Sequence, residues 1–327
     1  MSATKVRTPT QDADRSPSHT SSHPAITATQ YRGCFLGLAI GDTFCAPYEG
    51  GTMERLLWRL LGRNRYGLLR YTDDTQMAMD IAHSILTAKQ LDQSHLAHTL
   101  ANSYRWSRGY GPSAAKLLKS IRAGKNWRSV NCAQFKEGSF GNGAAMRAPI
   151  VALCFPYDIE QIKTTVAQSA EITHAHTLGI EGATLIAIAT ALSLTHTPPL
   201  ALLDRLITET QHAEFKKKLT VCRSLIAIDF PVPVTMLKQR LGNGMTATDS
   251  CITAIYFALQ YRAQSFDAML THIIQLGGDT DTIAAMAGAI WGASHGDSPL
   301  SDKRDQIEDA SYILQLADAL YAFAHHD

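Results

Sequence analysis

Apolar side chains recur every three to four residues along most of the chain, the spacing that gathers them on one face of a helix. The clearest examples are Ala78, Ile81, Ala82, Ile85 and Leu86, and then Ile283, Met286, Ala287, Ile290 and Trp291. The alternation of apolar and polar residues that is typical of strands is scarce. The pattern predicts an all-α fold, built as a single compact multi-helix domain.

The first helix should begin near Thr27 and end within 41–50, where glycines and a proline break it and leave Asp42 and Glu49 on an irregular segment. Asp42 is expected to act as a structural hydrogen-bonding group. Glu49, in a loop after a buried helix, is the better candidate for chemistry.

Later segments add further helices. The stretch 172–196 is apolar all round, as a buried central helix should be, and 200–241 predicts two or three amphipathic helices. Thr248 or Ser250 can cap the helix that follows.

The N-terminal residues 1–26 are rich in Ser, Thr, Pro and His and poor in large apolar side chains, so we expect a disordered tail before a domain over 27–327. A transit peptide is the alternative, but Asp12 and Asp14 argue against it.

Composition narrows the class of protein. Of 327 residues, 45% are apolar and 18% charged, and the formal net charge is +1, so a large core is possible and nothing predicts a nucleic-acid partner. The six cysteines form no C-x-x-C pair, which favours a reduced, intracellular protein. No uninterrupted apolar run approaches a membrane span, and the N-terminus lacks the order of a secretion signal. We expect a cytoplasmic protein with no membrane partner.

Two predicted helix N-termini, far apart in sequence, contain the same set of polar side chains. Residues 72–75 (Thr-Asp-Asp-Thr) and 279–282 (Asp-Thr-Asp-Thr) each place two carboxylates and two hydroxyls in a first helical turn. Either run alone could be a set of N-cap residues. Together with Glu49 they indicate a binuclear metal site, because carboxylates this close need counter-charge. Hard oxygen ligands select Mg²⁺, Mn²⁺ or Ca²⁺.

Two glycine-punctuated loops precede other helices, at 105–111 and 138–143, and such loops can bind phosphate through backbone N–H groups. His174 and His176 lack a third nitrogen or sulfur ligand nearby, which disfavours zinc. From residue types alone, the chain is predicted to be a binuclear hydrolase acting on a phosphorylated or polyhydroxylated substrate.

Six ordered motifs resemble one family. GLAIGDTFCAPYEG, YTDDT, GSFGNGAAMR, THAHTLGIEGA, LGNG and LGGDTDTIAAMAGAIWGA together span about 31–296. They are similar to the ADP-ribosylglycohydrolases related to dinitrogenase reductase-activating glycohydrolase. The resemblance implies an all-helical domain with two Mg²⁺ ions, or Mn²⁺, in a cleft that binds ADP-ribose and ADP-ribosylated proteins or small conjugates, and a monomer.

The resemblance also assigns residues. It implies metal ligands at Glu49, Thr72, Asp73, Asp74, Asp279, Asp281 and Thr282. It implies catalytic roles for Glu49, as acid/base, and for Asp73 and Asp279. It implies ligand contacts from Gly109, Gly111, Ser139, Phe140, Gly141, Asn142 and His174, with Phe140 packing against adenine.

The loop at 108–111 bears on which branch of the family the chain resembles. Arginine-specific members carry Phe-Asp-Ile-Gly where this chain has Arg-Gly-Tyr-Gly at 108–111, so the resemblance favours O-linked substrates: serine-ADP-ribose, poly(ADP-ribose) or O-acetyl-ADP-ribose. The alternatives are an arginine-ADP-ribose hydrolase, an inactive ADP-ribose-binding or structural member of the fold, and a metal-dependent phosphatase. Phe44 and Cys45 replace small residues and would either shape the cleft or fill core space.

Overall fold

A computed structural model describes residues 25–228 and 232–325. It is 71% helical, with 17 α-helices in one domain and no sheet in the described part of the chain, which confirms the all-α prediction. The predicted disordered tail lies outside the described residues, apart from residues 25 and 26.

The helices in the first half of the chain are α1 (Ala28–Cys45), α2 (Thr52–Leu61), α3 (Asp73–Ala88), α4 (Gln93–Ser103), α5 (Pro112–Arg122), α6 (Trp127–Val130), α7 (Pro149–Cys154) and α8 (Ile159–Glu171). Those in the second half are α9 (Thr177–Leu194), α10 (Pro199–Glu209), α11 (Ala213–Ile226), α12 (Val234–Arg240), α13 (Ala247–Gln260), α14 (Phe266–Leu276), α15 (Thr280–His295), α16 (Ser301–Arg304) and α17 (Ala310–His325). Short 3₁₀ turns lie at Ala46–Tyr48, Trp106–Arg108, Asn142–Ala144 and Ser298–Leu300.

Helices α1 and α15 pack antiparallel at the centre with their backbones almost touching. A Cβ atom built on Gly37 would lie 2.1 Å from the carbonyl oxygen of Gly288, and one on Gly41 would lie 2.1 Å from that of Ala284. Only glycine permits this approach. The pairing places the C-terminal end of α1 beside the N-terminal end of α15, where the Thr280 hydroxyl donates to the Cys45 carbonyl at 3.2 Å.

The Gly37→Ala variant should lose about 2–3 kcal/mol of unfolding free energy, because the new methyl group cannot fit between the two backbones. Urea denaturation would measure the loss. Gly111→Ala is the matched control, since Gly111 has a φ of −55° and its added Cβ would meet no atom within 4 Å. Equal stability of the two variants would contradict the close packing.

Three expectations about helix ends need correction. The first helix does not break at Gly41 but runs to Cys45, because Gly41 serves the contact with α15, and Asp42 is therefore helical. The N-cap of α13 is Thr246, not Thr248 or Ser250. Helix α9 begins at Thr177, after both histidines of its motif.

The expectation of two or three helices within 200–241 is confirmed. The stretch 200–241 contains three helices, α10 to α12, the first of which begins at Pro199.

Helix α9 is central and largely buried. By length and composition alone it could cross a membrane, contrary to the expectation that no run approaches that length, yet 72% of it is buried inside the protein. Cys45 lies in the core and Phe44 packs against it, so both fill core space.

Candidate active site

The two acidic helix starts meet in space, and Asp42 of α1 fixes one of them. Its carboxylate accepts hydrogen bonds from the backbone N–H of Thr72 and Thr75 at 3.0–3.1 Å and from the Thr75 hydroxyl at 2.5 Å. The N-terminus of α3 is thereby anchored to the central helix. Asp42 is the structural hydrogen-bonding group that the sequence predicts, although it lies in a helix.

Three helical carboxylates, the N-cap residue Asp279 of α15 and Glu49 form two triads that share one residue. Oxygens of Asp42, Asp74 and Asp281 lie within 4.8 Å of one another, and so do oxygens of Glu49, Asp279 and Asp281. Asp281 belongs to both. Two triads with a common carboxylate could hold two neighbouring cations.

The electrostatics of this cluster are unfavourable without a cation. Burial raises the pKa of Asp73, Asp74 and Asp281 well above the usual value, and the neighbouring carboxylates raise it further. Burial also raises the pKa of Asp279, against the lowering effect of hydrogen bonds from Asn142 and Thr282. Desolvation and like-charge repulsion therefore oppose joint ionisation.

The residues present fit a hard metal ion. Asp74 Oδ2 is buried without a hydrogen-bond partner among the described residues, and the Thr282 hydroxyl donates to its other oxygen, Oδ1, at 3.3 Å. Thr72 both caps α3, accepting from the Asp74 N–H at 3.2 Å, and lines the cleft. An all-oxygen donor set with an orphaned carboxylate oxygen suits a hard divalent cation such as Mg²⁺, Mn²⁺ or Ca²⁺.

Glu49 and Asp73 also belong to the acidic cluster that lines the cleft. Glu49 ends the 3₁₀ turn Ala46–Tyr48, is half-buried and lines the cleft. Asp73 lines the same cleft but belongs to neither triad. The structure thus brings together all seven residues predicted as metal ligands.

The first glycine loop, Gly109 to Gly111, lies beside the acidic cluster. A Cβ on Gly109, whose φ is +85°, would lie 3.7 Å from Asp73 Oδ1. The preceding Arg108 is buried, donates to the Tyr71 carbonyl at 2.8 Å and pairs with Glu308. Arg108 is therefore part of the scaffold that joins this loop to the start of α3.

The second glycine loop forms the opposite wall. The Asn142 side chain donates to Asp279 Oδ2 at 2.5 Å and to Ser250 Oγ at 3.0 Å, so this predicted ligand contact also holds a carboxylate of the cluster. The Ser139 hydroxyl accepts from the Gly141 N–H at 3.3 Å.

The LGNG motif, residues 241–244, packs against the turn that precedes α15. Asn243 donates to the Gly277 carbonyl at 2.8 Å, and its own carbonyl accepts from the Asp279 N–H at 3.0 Å. Gly278, with a φ of +83°, packs against Asn243. The motif therefore fixes the turn that presents Asp279 and Asp281.

Six of the seven predicted ligand contacts line the cleft: Gly109, Gly111, Ser139, Gly141, Asn142 and His174. Phe140 does not line it, because its ring points to the surface, 45% exposed, and meets the edge of His176. Sequence reasoning missed Phe135, an exposed aromatic that lines the cleft, and the lining methionines Met77, Met146 and Met245. The only sequence signal for Phe135 was its place just before the glycine loop.

We predict that added Mg²⁺ stabilises the protein more at higher pH. The folded, metal-free protein holds its carboxyl protons more tightly than the unfolded chain, so its stability falls as pH rises from about 4 through the raised pKa values. Excess Mg²⁺ over EDTA should raise Tm by about 5 °C near pH 8 and by much less near pH 5. A shift in Tm that is equal at both pH values would contradict cation binding by these groups.

Comparison with known proteins agrees with this geometry. The ADP-ribosylglycohydrolase family profile matches residues 23–326. The chain is 32% identical to ADP-ribosylhydrolase ARH3 of Gallus gallus, covering 89% of this chain and 92% of that protein. It is 31% identical to ARH3 of Homo sapiens, with 83% and 87% covered.

The chain therefore belongs to the ADP-ribosylglycohydrolase family, whose members are metal-dependent hydrolases. It is a glycosidase that hydrolyses ADP-ribose linkages. A solved structure described as an ADP-ribosylglycohydrolase-related protein complex has the same fold, with a TM-score of 0.67 at 22% identity, covering 91% of this chain and 98% of that one.

Proposed function

We propose that this protein is a Mg²⁺-dependent hydrolase that removes ADP-ribose from O-linked conjugates, with serine-linked ADP-ribose, poly(ADP-ribose) and O-acetyl-ADP-ribose as its substrate class. The observation that carries the proposal is the pair of carboxylate triads that share Asp281 and lie between two glycine loops. Thr72, Asp73, Asp74, Asp279, Asp281 and Thr282 would hold two ions, with Glu49 at their edge. Asp42 belongs to the first triad, but both of its oxygens already accept hydrogen bonds from residues at the start of α3, so it would support the site rather than bind an ion.

The chain's residues supply binding and proton transfer. Ser113 and Ala114, in the first turn of α5, line the cleft beside the glycine loops, where helix N–H groups favour a diphosphate. Binding energy from that remote part of the ligand can orient the ribose. When bound, the metal ions would supply a Lewis acid for ribose hydroxyls and water.

In the proposed mechanism, Glu49 acts on the scissile bond. Its carboxyl group would protonate the leaving oxygen as the bond from that oxygen to the anomeric carbon breaks, and the resulting carboxylate would accept a proton from the attacking water. The products are ADP-ribose and the protonated leaving group, which is the free alcohol of the acceptor or, from O-acetyl-ADP-ribose, acetic acid, and Glu49 ends the cycle protonated, as it began.

The substrate branch rests on the loop at 108–111. It contains no carboxylate that could pair with an arginine guanidinium, and Arg108 is held inside the protein by Tyr71 and Glu308. The similarity to proteins described as ARH3, at 31–32% identity, supports the same branch.

The test compares release of ADP-ribose from serine-linked and arginine-linked peptides, each with Mg²⁺ and with EDTA. We expect metal-dependent release from the serine-linked peptide alone. Release from the arginine-linked peptide would contradict the branch assignment. Binding of ADP-ribose without release from either peptide or from O-acetyl-ADP-ribose would favour an inactive member of the fold.

A further inference from the structure

A buried arginine lies behind the second glycine loop. Arg147 has no exposed surface, and no carboxylate of the described residues lies within salt-bridge distance of it. Its Nη2 donates to the Thr173 hydroxyl at 2.8 Å and to the Ser169 carbonyl at 3.1 Å. Its Nη1 donates to the Gly143 carbonyl at 3.1 Å. Burial lowers the pKa of Arg147 only to about 10, so the guanidinium remains a cation that can only donate.

The Thr173 hydroxyl connects this cation to His174. Its oxygen lies 2.8 Å from His174 Nδ1 and accepts from Arg147 on its other side. Among the described residues, Nδ1 is the only acceptor recorded for the single Thr173 hydroxyl proton. The side chain is 5% exposed, so a hydroxyl that left this proton unpaired would lose a buried hydrogen bond. The hydroxyl therefore donates to Nδ1.

The remaining ring nitrogen of His174, Nε2, then carries the proton in a side chain that lines the cleft. A Cβ on Gly143 would lie 2.6 Å from Cε1 and 2.9 Å from Nε2, so the ring lies flush against the glycine loop. His174 lines the cleft, and Nε2 has no hydrogen-bond partner among the described residues. Burial and the Arg147 charge lower the pKa of His174 to about 3, which keeps the ring neutral.

We propose that Arg147 and Thr173 are positioning residues that fix His174 as the neutral tautomer with its proton on Nε2, so that it donates a hydrogen bond to an acceptor oxygen of the bound ligand. The identity of that ligand as ADP-ribose rests on the proposed function. The hydrogen-bond relay from Arg147 through Thr173 to His174 does not depend on the proposed function. The same guanidinium ties the glycine loop to the histidine, because it also holds the Gly143 carbonyl.

The first measurement is made on the wild-type protein, and a variant serves only to assign its signals. Ring ¹⁵N shifts of the ligand-free protein, with the His174 signals assigned by their loss in His174→Asn, should report an unprotonated Nδ1 and a protonated Nε2. A proton on Nδ1 in the wild-type protein would overturn the proposal, whether or not the protein binds ADP-ribose.

Substitution of Thr173 tests the relay itself. Thr173→Val keeps the shape but removes the donor to Nδ1, so the tautomers should mix and ADP-ribose should bind about tenfold more weakly. Thr173→Ser should restore both the tautomer and the affinity. Thr190→Val is the matched control, because Thr190 is also buried but its hydroxyl donates only within α9, to the Ile186 carbonyl at 2.9 Å.

The outcomes distinguish a failure of the hydrogen-bond relay from a failure of the proposed function. An unchanged tautomer and affinity in Thr173→Val, or an equal loss of affinity in Thr190→Val, would overturn the relay. The expected tautomers in a protein that does not bind ADP-ribose would support the relay and contradict the proposed function.

Discussion

Glu49→Gln should lower the rate of release of serine-linked ADP-ribose by about 10³-fold while leaving the Kd for ADP-ribose nearly unchanged. Gln keeps the size of the side chain but can neither protonate the leaving oxygen nor accept a proton from water. Glu49 stands beside Asp279 and Asp281 and lines the cleft, and it is the residue that we propose as the acid/base group. Single-turnover kinetics would measure the chemical step, and calorimetry would measure binding.

Glu137→Gln is the control for this experiment. Glu137 is the same residue type, lies just before the second glycine loop and has an 85% exposed side chain. Its replacement should leave both constants within about twofold, because exposed charge pairs contribute little. Turnover retained in Glu49→Gln would exclude the acid/base role and move it to another carboxylate of the cleft.

Asp281→Asn should weaken Mg²⁺ binding by about 100-fold or more, because Asp281 is the one carboxylate common to both triads. The asparagine can keep the hydrogen bond that Asp281 accepts from the Thr282 N–H at 2.9 Å. Removing a buried charge from a repulsive cluster should also leave the metal-free variant at least as stable as the wild-type protein near neutral pH. Metal titration and thermal melts in EDTA would measure the two effects.

Asp80→Asn is the matched control for Asp281→Asn. Asp80 is also a buried carboxylate, on α3, but it belongs to neither triad, and it accepts a hydrogen bond from the Ser103 hydroxyl at 2.5 Å. Its replacement should leave Mg²⁺ affinity unchanged. Equal Mg²⁺ affinity in Asp281→Asn and the wild-type protein would remove Asp281 from the ligand set.

The sequence by itself determined the helical class and the chemistry of the site. Spacing at three to four residues is a local property, and it identified α3 and α15 without knowledge of their neighbours. The Asp and Thr runs at 72–75 and 279–282 begin helices as predicted, because a first turn is defined by its own residues.

Only the tertiary structure decided how these parts combine. Gly41 looked like a helix breaker, but contact with Ala284 makes it an interhelical residue and leaves Asp42 in a helix. The sharing of Asp281 by two triads depends on the antiparallel packing of α1 with α15 and on the position of α3. No local pattern encodes those distances.

Loop side chains were the least predictable part. Phe140 lies in the second glycine loop and Phe135 just before it, yet Phe135 lines the cleft while Phe140 meets His176 at the surface. The direction of a loop side chain is set by distant contacts, such as the hydrogen bond from the Ala247 N–H to the Phe140 carbonyl at 3.0 Å. Thr173 and Arg147 were invisible in the sequence for the same reason, since their link to His174 exists only once α8, α9 and the glycine loop are packed together.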